Sequence, residues 1–282
     1  MDGAPISDDD DARGDTRVSL LILGAGWTST FLVPQLRSRG LSYALTTRDG
    51  HEGTLRFTFD AERPDADVSQ YARLPAADAV MVTFPITVAG ATQQLVRLYG
   101  DAHPGPAAHW VQLGSSGMWP EGDGTVDRHA PWQRGNARAE EEERLLHSGV
   151  GAVLDLAGLW GAARDPRAWI PRVAGSKAAL AAKGSLHLVH GEDVARAVLA
   201  VVARWDLAVG NRWLLTDLRS YDWWDLALAW GSDECKQWAM ELMAERGQHV
   251  LARDMRRRGK VLDSSEFWMV FALQPKMSLF TQ

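Results

Sequence analysis

Residues 18–36, VSLLILGAGWTSTFLVPQL, limit the fold more than any other part of the chain. A continuous apolar run over 20–23 stops at Gly24, and apolar residues return at Phe31, Leu32 and Leu36 with helical spacing. That order predicts a buried strand, a tight turn and a helix. Short apolar runs recur at 42–46, 79–83, 109–113 and 152–157, with polar or helix-periodic stretches such as VAGATQQLVRLYG between them. Strands alternating with helices predict an α/β fold, a parallel sheet covered on both faces with right-handed crossovers. LRFTF, residues 55–59, alternates at period two and predicts an extra edge strand.

The pattern changes after residue 160. KGSLHLVHGEDVARAVLAVV predicts a strand ending near His190 and a helix capped by Glu192 or Asp193, and NRWLLTD predicts a further strand. YDWWDLALAW, CKQWAMELMAERG and LARDMRRRG predict helices, the last with its basic residues complementing the dipole at a helix end. The expected organisation is a disordered acidic tail over 1–17, a sheet domain over 18–160, and a smaller, mostly helical C-terminal lobe over 161–282, interleaved with the last sheet elements.

With 282 residues, 46% of them hydrophobic, the chain can bury a core of that size. Of the formal charge of -6, the tail carries -4, from six Asp against Arg13 and Arg17, which leaves -2 for the rest. No basic excess points to nucleic acid and no run of about 20 apolar residues points to a membrane, so a small soluble molecule is the expected partner. A single cysteine, Cys235, argues against a disulfide framework or a Cys-based zinc site. Together with an N-terminus that lacks the features of a secretory or import signal, it predicts a cytoplasmic protein. No histidine spacing suits a metal, and none is expected. Eight of the thirteen Trp follow Trp160, where core packing is the expectation and a cleft for a planar ligand the alternative.

GAGWTS, residues 24–29, follows the pattern G-x-G-x-x-G with Ser29 in the last place. Gly24 permits the turn, Gly26 lets the backbone approach a pyrophosphate, and a helix starting at Trp27 and Thr28 aims its N-terminal amides at the anion. The third position needs only a small residue, which Ser29 is. Between a buried strand and an amphipathic helix, the motif predicts a dinucleotide site. The next strand ends in LTTRDG, with Arg48, preceded by Thr47, 22 residues beyond Gly26. A cation there accommodates the 2′-phosphate of NADP, and the adjacent Asp49 keeps NAD as the second choice. TFP, residues 83–85, ends a strand beside the glycine turn, so Phe84 and Pro85 are expected near the cofactor.

GAGWTS, LGSSGMWP, PWQRGNARAEEEERLL, LDLAGLWGAARDPR and LHLVHGEDVARAVLAVV follow one another in the order and spacing of the extended and atypical short-chain dehydrogenases, the NAD-dependent epimerase/dehydratase family. The chain resembles that family over roughly residues 18–230. The resemblance implies a Rossmann-type doubly wound α/β domain with a substrate lobe and a nicotinamide cofactor. It also implies oxidoreductase or epimerase chemistry on a small carbonyl or hydroxyl substrate, and a homodimer through helices 87–99 and 137–147.

In such enzymes a Ser follows the strand equivalent to 109–113, and a Tyr-x-x-x-Lys pair lies on the next long helix. The Tyr carries the substrate proton, while the Lys binds the nicotinamide ribose and lowers the Tyr pKa. Matching LGSSGMWP puts Ser115 at the catalytic Ser and Trp119 at the motif tyrosine. Matching RGNARAEEE puts Arg134 at the Tyr, Arg138 at the Lys and Glu142 at the helix glutamate. Arg138 can still hold a ribose hydroxyl. Arg134 cannot replace Tyr, because a guanidinium with a pKa above about 12 does not exchange protons near neutrality.

Three readings stay open: a proton from Ser115, Ser116 or His129; an Arg134 clamp on a substrate anion; or NADP(H) binding without turnover, as in a sensor or scaffold. For the charge run itself, a solvated helix face is the alternative. In relatives the loop GAARDPR borders the nicotinamide and substrate, which makes Arg164 and Arg167 candidate anion contacts, with Trp160 on the same wall. Together with Trp119 they are the candidate substrate residues.

Overall fold

The structure, a computed structural model, describes residues 17–281. Most of the expected tail therefore lies outside the described residues; Arg17 is described, and its Nε donates to Asp78 Oδ1. The described residues divide into two compact units, one of 17–118, 132–155 and 192–213, the other of 119–131, 156–191 and 214–281.

The first unit carries strands β1 (Val18–Leu23), β2 (Tyr43–Thr47), β3 (Leu55–Arg56), β4 (Ala77–Val82), β5 (His109–Ser115), β7 (Gly151–Leu156) and β11 (Arg212–Leu215). They form a seven-stranded sheet of order β11-β7-β5-β4-β1-β2-β3. The four pairs from β3 through β2, β1 and β4 to β5 are all parallel, as continuous apolar strands with helical crossovers require. The helices are α1 (Ser29–Ser38), α2 (Ser69–Ala72), α3 (Ala91–Ala102), α4 (Ala137–Leu146), α7 (Gly191–Ala203) and α8 (Trp205–Ala208). α3 shows why the periodicity was legible: Ala91, Thr92, Leu95, Leu98 and Tyr99 are buried at helical spacing and pack in the core with β1 and β4. The edge strand expected in LRFTF is present as the two residues of β3, parallel to β2.

In the second unit, β8 (Gly158–Trp160) runs parallel to β10 (Leu188–His190), β9 (Ser185–Leu186) antiparallel to β12 (Tyr221–Asp222), and β6 (Gly124–Val126) parallel to β13 (Lys260–Leu262). Its helices are α5 (Ile170–Val173), α6 (Lys177–Ala181), α9 (Trp223–Trp230), α10 (Asp233–Glu245) and α11 (Ser265–Val270). Trp160, Trp223 and Trp224 are buried in one cluster with Leu180, Leu188 and Leu242, and Trp169, Trp230 and Trp238 pack against it. Much of the tryptophan excess is therefore core.

Two expectations need correcting. LARDMRRRG is not a helix: it holds only a 3₁₀ turn, Met255–Arg257, capped by Asp254. Tertiary ion pairing overrides its helical composition. Arg253 is 4% exposed, makes three hydrogen bonds to the Asp222 carboxylate at 2.6–3.1 Å from its guanidinium, and lies over the Trp224 ring; Arg258 is also buried and donates to Ser220 O. The cluster thus complements no helix end. Helix α7 also begins earlier than expected, at Gly191, so Asp193 sits in its first turn, buried and bonded to Arg196 at 2.6 Å.

Candidate functional site

The glycine turn follows β1 and is pinned from both neighbouring strands. Thr46 of β2 takes the Gly24 amide on its Oγ1 at 3.0 Å and the Ala25 amide on its carbonyl at 2.7 Å, while Thr83, just after β4, donates its hydroxyl to Gly24 O. Gly24 has φ +89, and a Cβ there would lie 2.6 Å from Thr83 Oγ1, so only glycine fits. At Gly26 the situation is opposite: nothing lies within 4 Å of a Cβ, which leaves open space over the backbone. No side chain caps α1, and the amides of Gly26 and Thr28 find no acceptor among the described residues. Ser29 is buried against the turn, with a hydroxyl that has no partner. Trp27 packs edge-on to Phe31 at 4.9 Å between ring centroids. The Ser29 and Thr30 amides turn back onto Gly26 O and Trp27 O, so the open glycine and the Gly26 and Thr28 amides ahead of α1 are the part of the turn that fits a pyrophosphate.

Arg48 is the first residue after β2. Its side chain is exposed and makes no ion pair among the described residues. The neighbouring carboxylate is engaged: Asp49 bonds to His51 Nδ1 at 2.6 Å and to the Thr47 hydroxyl, and these bonds hold it down to about 2. Thr47 is occupied in turn, by Thr54 and the Gly50 amide. Beside the turn, Phe84 stacks on Phe59 at 5.7 Å, its carbonyl accepts from Gln112, and Pro85 is exposed next to it.

Ser115 ends β5, half-buried, with its amide donating to Asp155 Oδ1 at 3.1 Å and its hydroxyl accepting from Gly117 N at 3.2 Å. Arg134 is exposed and precedes α4, whose cap is Asn136. Arg138, in the first turn of α4, is directed inward: it donates to Leu113 O at 2.6 Å and to Glu142 Oε1 at 3.0 Å.

The glutamate run around it is not a solvated face. Only Glu140 is exposed. Glu141, 2% exposed, accepts the Gly90 and Thr92 amides at 2.8 and 3.0 Å, capping α3 from the neighbouring helix. Glu142 and Glu143 bond to Arg212 of β11 at 2.9 and 3.1 Å, and Arg212 also donates to Asp155 Oδ2 at 2.8 Å. Asp155 and Arg212 were not singled out from the sequence, although a lone charge inside each of the apolar strands AVLDLA and RWLL was the available signal.

In the second unit, Trp119 is 1% exposed, with its indole N–H donated to Ala130 O. That burial leaves no face for a substrate, so its expected substrate contact becomes a packing role. Trp160 is buried too, with an unpartnered indole nitrogen and its ring edge-on to His190. Gly161, at φ +109, is required there because a Cβ would meet the His190 ring at 2.2 Å. Arg164 and Arg167 are exposed; Arg167 lies over the Trp230 ring at 5.6 Å. His129 shares the Glu266 carboxylate with Arg128. Among the described residues no acidic, His or Cys cluster is arranged for a metal, and no helix is long and apolar enough to cross a membrane.

No protein-family model and no curated protein sequence matches the chain. Solved folds do match. A Methylobacillus flagellatus protein assigned as an NAD-dependent epimerase/dehydratase aligns over 95% of each chain at 17% identity, with a TM-score of 0.60. MoeE5, solved with UDP-glucose and NAD, aligns over 94% of this chain and 95% of its own at 15% identity and 0.61. The UDP-N-acetylglucosamine 4-epimerase of Bacillus cereus aligns over 94% and 96% at 13% identity and 0.58. Across nearly its whole length the chain has the Rossmann-type fold of these proteins, in line with the resemblance of its motifs.

Proposed function

We propose that the first unit binds NADP(H) and that the protein is an oxidoreductase or epimerase-like enzyme that works on a small carbonyl or hydroxyl substrate without the Tyr–Lys pair of the family that its motifs resemble. The observation that carries the cofactor reading is the open space at Gly26, beside the Gly26 and Thr28 amides, which find no acceptor among the described residues, and beside a Gly24 that admits no side chain. The neighbour solved with NAD supports a nicotinamide dinucleotide. NADP is favoured over NAD because Asp49, the group that would take a ribose hydroxyl, is held by His51 and Thr47, whereas Arg48 is exposed and has no ion-pair partner among the described residues.

When bound, the cofactor supplies or takes the hydride. The chain's residues do the rest. The Gly24–Gly26 turn and the start of α1 hold the pyrophosphate, and Arg48 holds the 2′-phosphate. The Ser115 hydroxyl, fixed by the Gly117 amide, retains its proton for a substrate oxygen. Arg134 carries an exposed positive charge suited to a carboxylate or phosphate, and it moves no proton.

A second reading, a sensor or scaffold that binds NADP(H) without turnover, is favoured by Arg138. Its guanidinium is committed to Leu113 O and Glu142 rather than projected outward. Parallel titration with NADPH and NADH, followed by Trp emission, tests the cofactor. NADPH binding should be abolished in Gly26→Asp, whose Cβ meets no atom within 4 Å, and Arg48→Ala should shift the preference toward NADH. No binding of either cofactor to the wild type defeats both readings. Tight binding with no hydride exchange across carbonyl and sugar-nucleotide substrates defeats the enzyme reading alone.

A further inference from the structure

We propose that Asp155 and Arg212 are positioning residues for Ser115, holding the exit of β5 through a buried ion network. The inference rests on Ser115 being a residue of the proposed site. Two backbone groups at the end of β5 are fixed by side chains: the Ser115 amide by Asp155 Oδ1 and the Leu113 carbonyl by Arg138. Both side chains converge on Arg212, Asp155 directly and Arg138 through Glu142. The strand is admitted to this arrangement by Gly114. A Cβ there would lie 2.3 Å from Asp155 Oδ1 and 3.0 Å from both Glu142 Oε1 and a Val153 methyl, so the carboxylates occupy the space of a side chain.

The charges around Asp155 come from two neighbouring elements, β11 and α4. Arg212 of β11 and Arg138 of α4 are positive; Glu142 and Glu143 of α4 are negative. With Asp155 ionised, three carboxylates face two guanidiniums. With Asp155 protonated the cluster is neutral. Burial and the Glu142 charge raise Asp155 to about 7, against the pull of Arg212. The ionised form makes both observed bonds, Oδ1 to the Ser115 amide and Oδ2 to Arg212. A proton on Oδ2 would confront the Arg212 N–H, release that arm, and leave Oδ1 a neutral carbonyl, a weaker acceptor for the Ser115 amide than a carboxylate oxygen. Ser115 is therefore held most firmly above the Asp155 transition.

The test is hydrogen exchange of the full chain, read by mass spectrometry on peptides covering residues 113–118 and corrected for the intrinsic pH dependence. In the wild type, protection of the Ser115 amide should fall by about tenfold as pH drops from roughly 8 to 6. Asp155→Asn, which cannot ionise, should show the low-protection behaviour at every pH. Glu143→Gln should move the transition to lower pH, since Arg212 then serves Asp155 more fully. It is the less buried site and serves as the second variant if Asp155→Asn does not fold. A flat wild-type profile, or a transition that Glu143→Gln leaves in place, overturns the assignment. Because this exchange is measured without cofactor, failure of NADPH binding would remove the proposed site while leaving the network result standing.

Discussion

Replacing Glu141 by alanine should destabilise the first unit by about 3 kcal/mol, as follows. Its carboxylate accepts the Gly90 and Thr92 amides at 2.8 and 3.0 Å, and α3 has no side-chain cap of its own, since its N-cap is Gly90. A hydrogen bond to a charged acceptor contributes about 1.5–3 kcal/mol net, and a buried amide left without an acceptor costs about 1–3. Thr92 is 4% exposed, so water does not replace the lost partner there, whereas Gly90 is only half-buried and recovers part of its loss. The ion pair to Arg144, itself 42% exposed, adds little. Glu141→Gln keeps one oxygen for one amide and should cost about half as much, roughly 1–2 kcal/mol. Urea unfolding would measure both changes, and hydrogen exchange over residues 90–95 would localise them. A loss below about 1 kcal/mol for alanine, or equal losses for alanine and glutamine, would refute the cross-helix cap.

Three further outcomes follow from the same structure. Gly24→Ala should lose at least about 2 kcal/mol of stability, from left-handed backbone and the approach to Thr83 Oγ1, and NADPH binding with it; an unchanged melting temperature would contradict the pinned turn. His187 accepts the Leu262 amide on Nε2, and burial beside Lys260 and Arg258 lowers it to about 4. Its folded pKa lies below its unfolded value near 6.5, so its contribution is complete above that value and is lost as pH falls toward 4, by up to about 3 kcal/mol. Unfolding measured across that window should steepen with acid in the wild type and less so in His187→Gln. Arg253→Met leaves Asp222 buried and unpaired and should cost about 3–5 kcal/mol in thermal unfolding, whereas a surface arginine would cost almost nothing.

Features that depend on neighbours in the chain were legible. The apolar runs located β1, β2, β4, β5 and β7, and the GAGWTS pattern located a turn whose Gly24 and Gly26 play different steric parts. The cap on α3 was not legible, because it comes from Glu141, whose partner amides lie 51 and 49 positions earlier. For the same reason EEEE looks solvated until Arg212, some 70 positions on, is placed against it. LARDMRRRG has helical composition, but a buried Asp222 carboxylate takes Arg253 and the helix does not form. Spacing set Arg138 against the lysine of the motif that the chain resembles; that it faces inward required the Leu113 carbonyl to be seen.

The path of the chain between its two units has an evolutionary consequence. The backbone passes from one unit to the other five times, at 118/119, 131/132, 155/156, 191/192 and 213/214. Neither unit is a continuous stretch of gene. A truncation at residue 160 would remove α7 and β11 and with them the Arg212 that neutralises Glu142 and Asp155. Recombination could not exchange one unit for a foreign one without five separate crossovers.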